Sequence, residues 1–65
     1  MNDAALTALK CFRENLRDFG DARTQPENYN LYNGLANLAE AIGALQVQVL
    51  ALSQEVQELR RGRRL

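Results

Sequence analysis

Leucine recurs at every seventh position through the second half of the chain, at Leu31, Leu38, Leu45, Leu52 and Leu59. Aliphatic residues also stand between these leucines, at Leu35, Ile42, Val49 and Val56. From Leu35 to Leu59 the apolar spacing alternates between three and four residues without interruption. This is a heptad register with the leucines at d and the intervening residues at a. The register predicts that the chain assembles through a coiled coil.

The short length of the chain makes a partner subunit the expected source of stability. A domain of 65 residues buries only about 60% of its unfolded surface and is marginal alone. Small domains usually add disulfides, a metal or a partner. Cys11 is the only cysteine and histidine is absent, so neither an internal disulfide nor a structural zinc site is expected. We expect no cofactor and no metal, and a homo-oligomer with a dimer preferred.

The apolar spacing predicts an all-α fold, a single helical-hairpin domain that forms a coiled-coil dimer or a small helical bundle. Helix 1 is predicted over about residues 3–19, and the connector over about 20–24. Helix 2 is predicted over about 25–61, with heptads over 31–59 and a basic end over 60–65. A later start of helix 2, at Asn30, is the alternative, since several asparagines and a glycine weaken its first turns.

Residues at the predicted helix ends fit known capping patterns. Asp3 is a candidate N-cap of helix 1, and Gly20 is a candidate closing glycine. Thr24 and Glu27 have the spacing of a capping box for helix 2. Gly62 is expected to end that helix.

The unequal helix lengths predict which residues self-associate. Helix 1 is expected to cover helix 2 only to about Ile42, so the seam beyond it would face water in a monomer. Burying those aliphatic side chains is worth on the order of 10 kcal/mol, more than the expected folding stability of so small a domain. The predicted oligomer interface is Leu38, Ile42, Leu45, Val49, Leu52, Val56 and Leu59.

The orientation of the two copies is left open by the register. In parallel coiled coils, β-branched residues at a with leucine at d favour two strands, and parallel pairing is our preference. Glu55 would then face Arg60 of the second copy, which is an attractive pair worth about 0.5 kcal/mol. Antiparallel pairing of two hairpins is the alternative.

A second apolar face is formed by Gly43, Val47 and Leu50, which lie off the seam. A helix that is apolar on more than one side packs on more than one side. We interpret this face as a candidate site for a second protein partner. The alternative is that Val47 and Leu50 are isolated apolar residues on the surface, which are common.

Charge points to a single candidate ligand site. The net charge is zero, so no overall field draws the protein to nucleic acid or membrane. The exception is a basic cluster at the C-terminus, where arginines can bind phosphate. Its members are Arg60, Arg61, Arg63 and Arg64. The alternative is a solvated helix end whose charge complements the helix dipole.

Catalytic chemistry is not indicated, and we expect the protein not to be an enzyme. The sequence has no histidine, no paired cysteines and no phosphate-binding glycine loop. The apolar face of helix 1 is predicted from residues that alternate between spacings of four and three, Ala5, Leu9, Phe12, Leu16 and Phe19. Cys11 flanks this face, where it is expected to pack as a small core residue.

The sequence favours a cytoplasmic protein. Its start lacks the basic and apolar regions of a secretory signal. Residues 35–52 are apolar enough to suggest a membrane span. Polar residues interrupt that stretch at Asn37, Glu40, Gln46 and Gln48, and we therefore expect no span.

A short helical hairpin that dimerises resembles two known kinds of protein in outline. One is the plasmid-encoded RNA-binding hairpins of the Rop type, and the other is the hairpin co-chaperones of type III secretion needles. The run from Gln25 to Tyr29, leading into Leu38 to Ile42, is similar to the latter. The resemblance is one of architecture, which does not fix function.

Three functions follow from these patterns. The leading hypothesis is a non-enzymatic self-association module that presents a helical surface to a partner protein. The second is a small nucleic-acid-associated regulator that uses the arginine-rich end. The third is a co-chaperone-like adaptor that folds with a different partner.

Overall fold

A computed structural model describes residues 3–63 of the chain. Over that range the chain forms two α-helices, α1 (Ala4–Phe19) and α2 (Pro26–Arg63), which pack against each other. The prediction of an all-α fold with a short helix followed by a long one is confirmed. The coiled-coil dimer stays a prediction.

The first turn of α1 begins after Asp3. The carbonyl oxygen of Asp3 accepts a hydrogen bond of 2.9 Å from the backbone N–H of Thr7. The Asp3 side chain makes no capping hydrogen bond, with φ −92° and ψ 12° at this residue. The candidate cap therefore occupies the N-cap position but does not cap through its carboxylate.

Gly20 ends α1 through close approach rather than through a left-handed conformation. Its φ is −118°, and its N–H donates to the carbonyl oxygen of Leu16 at 3.0 Å. A Cβ atom at this position would lie 2.6 Å from that same oxygen and 2.9 Å from Cδ1 of Leu16. The chain needs glycine here because the backbone of the preceding turn occupies the space of a side chain.

We expect Gly20→Ala to lower the free energy of unfolding by about 0.5–3 kcal/mol, the usual range for a substitution that meets steric conflict. The matched control is Gly43→Ala, because nothing lies within 4 Å of a Cβ atom at Gly43. Alanine there should stabilise α2 by about 0.5–1 kcal/mol through helix propensity. Urea unfolding of both variants measures the difference. Stabilisation by both would contradict the steric argument.

The connector passes directly into α2 at Pro26. The carbonyl oxygen of Gln25 accepts from the N–H of Tyr29 at 3.0 Å, which places Gln25 at the N-cap position. Thr24 lies in the turn before it, so the predicted capping box on Thr24 is not formed. The helix continues through Asn30 without a restart.

The C-terminal end of α2 also differs from the expectation. The helix continues through Gly62 to Arg63. Gly62 is therefore a residue of the last helical turn and not its terminator.

The hairpin is closed by contacts along its length. At the connector, Nδ2 of Asn28 donates to the carbonyl oxygen of Phe19 at 3.1 Å, so α2 satisfies a free carbonyl at the end of α1. Midway, the side chains of Arg13 and Glu40 form an ion pair at 3.4 Å. At the far end, Leu6 lies beside Gly43 and Val47. The helices are therefore antiparallel neighbours.

The hairpin has a thin core. Among the described residues the buried apolar side chains are Ala36 and Ala39, with exposed fractions of 6% and 5%. The apolar residues of α1 that face α2 are half-buried: Ala5, Ala8, Leu9, Phe12 and Leu16. Phe19, which was expected on this face, is 55% exposed. Two alanines and a half-buried rim provide little of the apolar burial that folds a domain.

Candidate self-association surface

The position of α1 leaves most of the heptad stripe uncovered. The heptad stripe is the a and d residues of α2 from Leu35 to Leu59, of which Leu35 is half-buried and the others are exposed. Helix α1 packs beside it, on the e and b positions, where α2 carries small or polar residues. These half-buried or buried residues are Tyr32, Ala36, Ala39, Gly43 and Gln46. The small side chains of Ala36 and Ala39 are buried in this contact and let the two helices pack closely there.

Helix α1 also reaches farther along α2 than the sequence suggested. The expected limit was Ile42, but the start of α1 lies beside Gly43, Gln46 and Val47. The physical reason is that the connector is short and α2 begins at Pro26. Helix α1 is about 24 Å long at 1.5 Å per residue, and together with Asp3 before it, it lies along the stretch of α2 between Asn28 and Val47.

Every residue of the predicted oligomer interface is exposed to solvent. Their exposed fractions lie between 45% for Ile42 and 65% for Leu59. The full set is Leu38, Ile42, Leu45, Val49, Leu52, Val56 and Leu59. Even the members that lie level with α1, such as Leu38, are not covered by it. The structure thus brings these residues together as one continuous apolar surface along α2.

The uncovered surface is large, because the hairpin is extended and not compact. The hairpin is 64 Å long, with a radius of gyration of 18.0 Å; a compact chain of this length would have about 11 Å. Its accessible surface is 5624 Å² for 7.3 kDa, where a compact monomer would expose about 4,200 Å². The excess is about 1,400 Å², more than the 800 Å² that each partner buries in a standard interface.

The second apolar face is partly used by the hairpin itself. Gly43 is half-buried beside the start of α1, while Val47 and Leu50 are exposed. Leu6 of α1 adds a neighbouring exposed side chain, with an exposed fraction of 67%. A shallow apolar groove lies farther along α2, beyond the start of α1, and is lined by Val49, Leu50 and Ser53. Sequence reasoning missed the contribution of α1 to this face.

The arginine-rich end projects from the last turn of α2. Arg60 and Arg61 are exposed. Arg63 is the last residue of the helix, and Arg64 lies outside the described residues. The cluster is far from α1, because α1 ends its contact with α2 near Val47.

The charged side chains of α1 are exposed to solvent. Arg13 pairs with Glu40 across the hairpin, with both side chains 60% exposed, and such a pair contributes at most about 1 kcal/mol. Arg17 Nε donates to Asp18 at 3.0 Å, and this hydrogen bond raises the pKa of Arg17. These groups form a solvated outer face.

Cys11 is exposed, so the expectation that it packs in the core is wrong. Cys11 lies on the opposite side of α1 from Arg13, since two residues along a helix correspond to a rotation of about 200°. In the part of the chain that the structure describes, no group of three potential ligand side chains could hold a metal ion.

The long helix has a further property that bears on location. By length and composition, the segment Pro26–Gly62 could cross a membrane, with a window of mean hydropathy 1.5 that is 11% buried. Signal sequences and core helices of soluble proteins share these features, so the observation alone does not establish a span.

Comparisons of the chain with known protein families, with curated proteins and with solved structures find no match.

Proposed function

We propose that the protein is a non-enzymatic self-association module, a homodimer held together by the heptad stripe of α2. The observation that carries the proposal is the unbroken exposed stripe beside a hairpin whose own core is two alanines. In this proposal the dimer presents a helical surface to a partner protein, and the face of Leu6, Val47 and Leu50 is the candidate contact.

Energetics support pairing of the stripe. Each aliphatic side chain of the stripe gains about 1.5–3 kcal/mol when it is fully buried. Every predicted interface residue is at least 45% exposed, so most of that gain is unrealised in a single hairpin. A second copy supplies a stripe of the same spacing, as the knobs and holes of a coiled coil require.

The charges of α1 argue against a membrane as the occupant of this surface. Helix α1 lies alongside α2 from Asn28 to Val47, which includes much of the apolar stretch. If that stretch crossed a bilayer, Lys10, Arg13 and Glu14 would be carried to hydrocarbon depth. Charged side chains there cost about 2.5–3.5 kcal/mol each for Arg and Lys. We therefore propose a cytoplasmic protein.

Sedimentation equilibrium across concentrations tests the proposal. We expect the mass of a dimer at micromolar concentration, together with a helical far-ultraviolet spectrum. A folded monomer at high micromolar concentration would contradict self-association. Partition into lipid vesicles in place of dimerisation would identify α2 as a membrane segment.

The arginine-rich end provides the test of the second hypothesis. Deleting residues 60–65 removes no a or d residue of the heptad stripe, so folding and dimerisation should survive nearly intact. Any weak binding of RNA or DNA should be lost, because four arginines supply phosphate contacts that are independent of nucleotide sequence. Titration with a nucleic acid at low and at physiological salt compares the two forms.

Steep salt dependence that disappears on truncation would support the nucleic-acid hypothesis. Tight binding by the truncated form would place a nucleic-acid site elsewhere on the hairpin. If neither form binds, the arginines are a solvated helix end.

A further inference from the structure

We infer that the second copy docks antiparallel, so that the α1 helices of the two copies lie end to end in one groove of the α2 pair. The inference rests on the proposed function, because it concerns the orientation of that same dimer. It reverses the preference for parallel pairing that the sequence alone suggested.

The stripe has the symmetry that antiparallel pairing needs. In an antiparallel coiled coil, a residues of one helix lie level with d residues of the other. From Leu35, an a residue, to Leu59, a d residue, the stripe has its midpoint at Val47. Turning the second copy about that midpoint sets Leu35 level with Leu59, Leu38 with Val56, Ile42 with Leu52, and Leu45 with Val49, while the exposed Leu31, one heptad earlier, lies outside this pairing.

The start of α1 lies beside that midpoint of α2. Helix α1 lies along α2 from Asn28, which bonds to Phe19, to Val47, which lies beside Leu6. It occupies one side of the stripe, the e and b positions. An antiparallel two-fold axis places both α1 helices on the same side of the α2 pair. The two therefore meet near Val47, and together they flank the α2 pair along its whole length.

This arrangement covers residues that a parallel dimer leaves in water. Leu50 and Ser53 continue the α1-binding side of α2 beyond the start of α1, and they line a shallow groove there. In the antiparallel dimer, α1 of the second copy lies beside this groove, so Leu50 belongs to the dimer contact and the face left for a partner protein is that of Leu6 and Val47. In a parallel dimer both α1 helices are at the same end, so Leu50 stays exposed.

The charges of the two hairpin ends are complementary in the same orientation. The arginine-rich end carries Arg60 and Arg61, both exposed. The connector end carries Asp18, Asp21 and Glu27 together with Arg17 and Arg23, which leaves one net negative charge, and Asp18 is paired with Arg17. Antiparallel docking brings the basic end of one copy toward this weakly acidic end of the other. Parallel docking instead places two basic ends side by side, and its pair between Glu55 and Arg60 is an exposed one that contributes little.

Spin-label distances distinguish the two orientations. Cys11→Ser removes the exposed native thiol, and single labels are then attached at Glu58→Cys or at Gln48→Cys. Both positions are exposed and off the stripe. Glu58 is eleven residues from the midpoint, so antiparallel copies hold the two labels about 33 Å apart along the axis. Gln48 is one residue from the midpoint, so its labels are separated by only about 3 Å along the axis.

The Gln48 label is the matched control, because it reports a short distance in either orientation. A Glu58 distance clearly longer than the Gln48 distance supports the antiparallel dimer. Equal short distances at both positions overturn the orientation and leave the dimer standing. Absence of coupling at both positions, with a monomeric mass for both labelled proteins, overturns the proposed function itself.

Discussion

Val49→Asp is expected to abolish dimerisation, and Leu52→Ala to weaken it strongly. Both residues lie on the heptad stripe beyond the reach of α1, with exposed fractions of 61% and 59% in the single hairpin. Truncation of a buried leucine costs about 2–5 kcal/mol, and a dimer loses this at two positions. A carboxylate buried without a partner costs more. Sedimentation equilibrium and thermal unfolding at several concentrations measure both effects.

Each control introduces the same residue type, aspartate or alanine, at a position that lies off the heptad stripe. Ala51→Asp introduces the same charge between Val49 and Leu52, but on the polar side of α2, where Ala51 is exposed. Cys11→Ala removes an exposed side chain of α1. Both controls should stay dimeric, with changes in stability within about 0.5–1 kcal/mol. Equal losses for Ala51→Asp and Val49→Asp would show that the stripe is not the interface.

The sequence predicted the helices well because their patterns are long and regular. Eight a and d residues at alternating spacings of three and four, from Leu35 to Leu59, strongly favour a helical periodicity for α2. The same spacing in α1 from Ala5 to Leu16 predicted which of its residues face the hairpin. Exposure of the stripe beyond Ile42 followed from helix lengths alone.

The sequence did not predict which face of α2 receives α1. The large apolar residues of the stripe suggested that α1 would pack on the first part of the stripe. Helix α1 packs instead on Ala36 and Ala39. The signal was present in the spacing of Tyr32, Ala36, Ala39 and Gly43, which alternates between four and three residues. This spacing is a weak signal in a hydrophobicity pattern, because alanine and glycine contribute little apolar area.

Helix ends were the least predictable part, since they depend on atomic detail. Asp3 and Thr24 are good capping residues in general, but neither caps a helix through its side chain here. Gly20 was correctly expected near the end of α1, although for another reason, the backbone of Leu16 beside it. A residue type at the right position does not determine the local geometry that makes it necessary.

The close approach of the two helices makes Ala39→Leu the most damaging change within the hairpin. Ala39 is 5% exposed between α1 and α2, so a larger side chain forces the helices apart. Overpacking of this kind costs about 1–3 kcal/mol. In a domain of this size each kcal/mol shifts the melting temperature by about 4–8 °C. Thermal unfolding followed by circular dichroism measures the shift.

Ala44→Leu is the matched control for that change, because Ala44 lies in the same stretch of α2 but is exposed. Leucine there should alter stability by no more than about 0.5 kcal/mol. Both positions lie in the segment of α2 that runs alongside α1, between Asn28 and Val47. The two variants therefore differ in whether the added side chain lies between the helices, at Ala39, or in solvent, at Ala44. A large loss for Ala39→Leu alone supports the packing of α1 on the alanine face. Equal melting temperatures would mean that α1 packs elsewhere, and the heptad stripe would then be its first candidate.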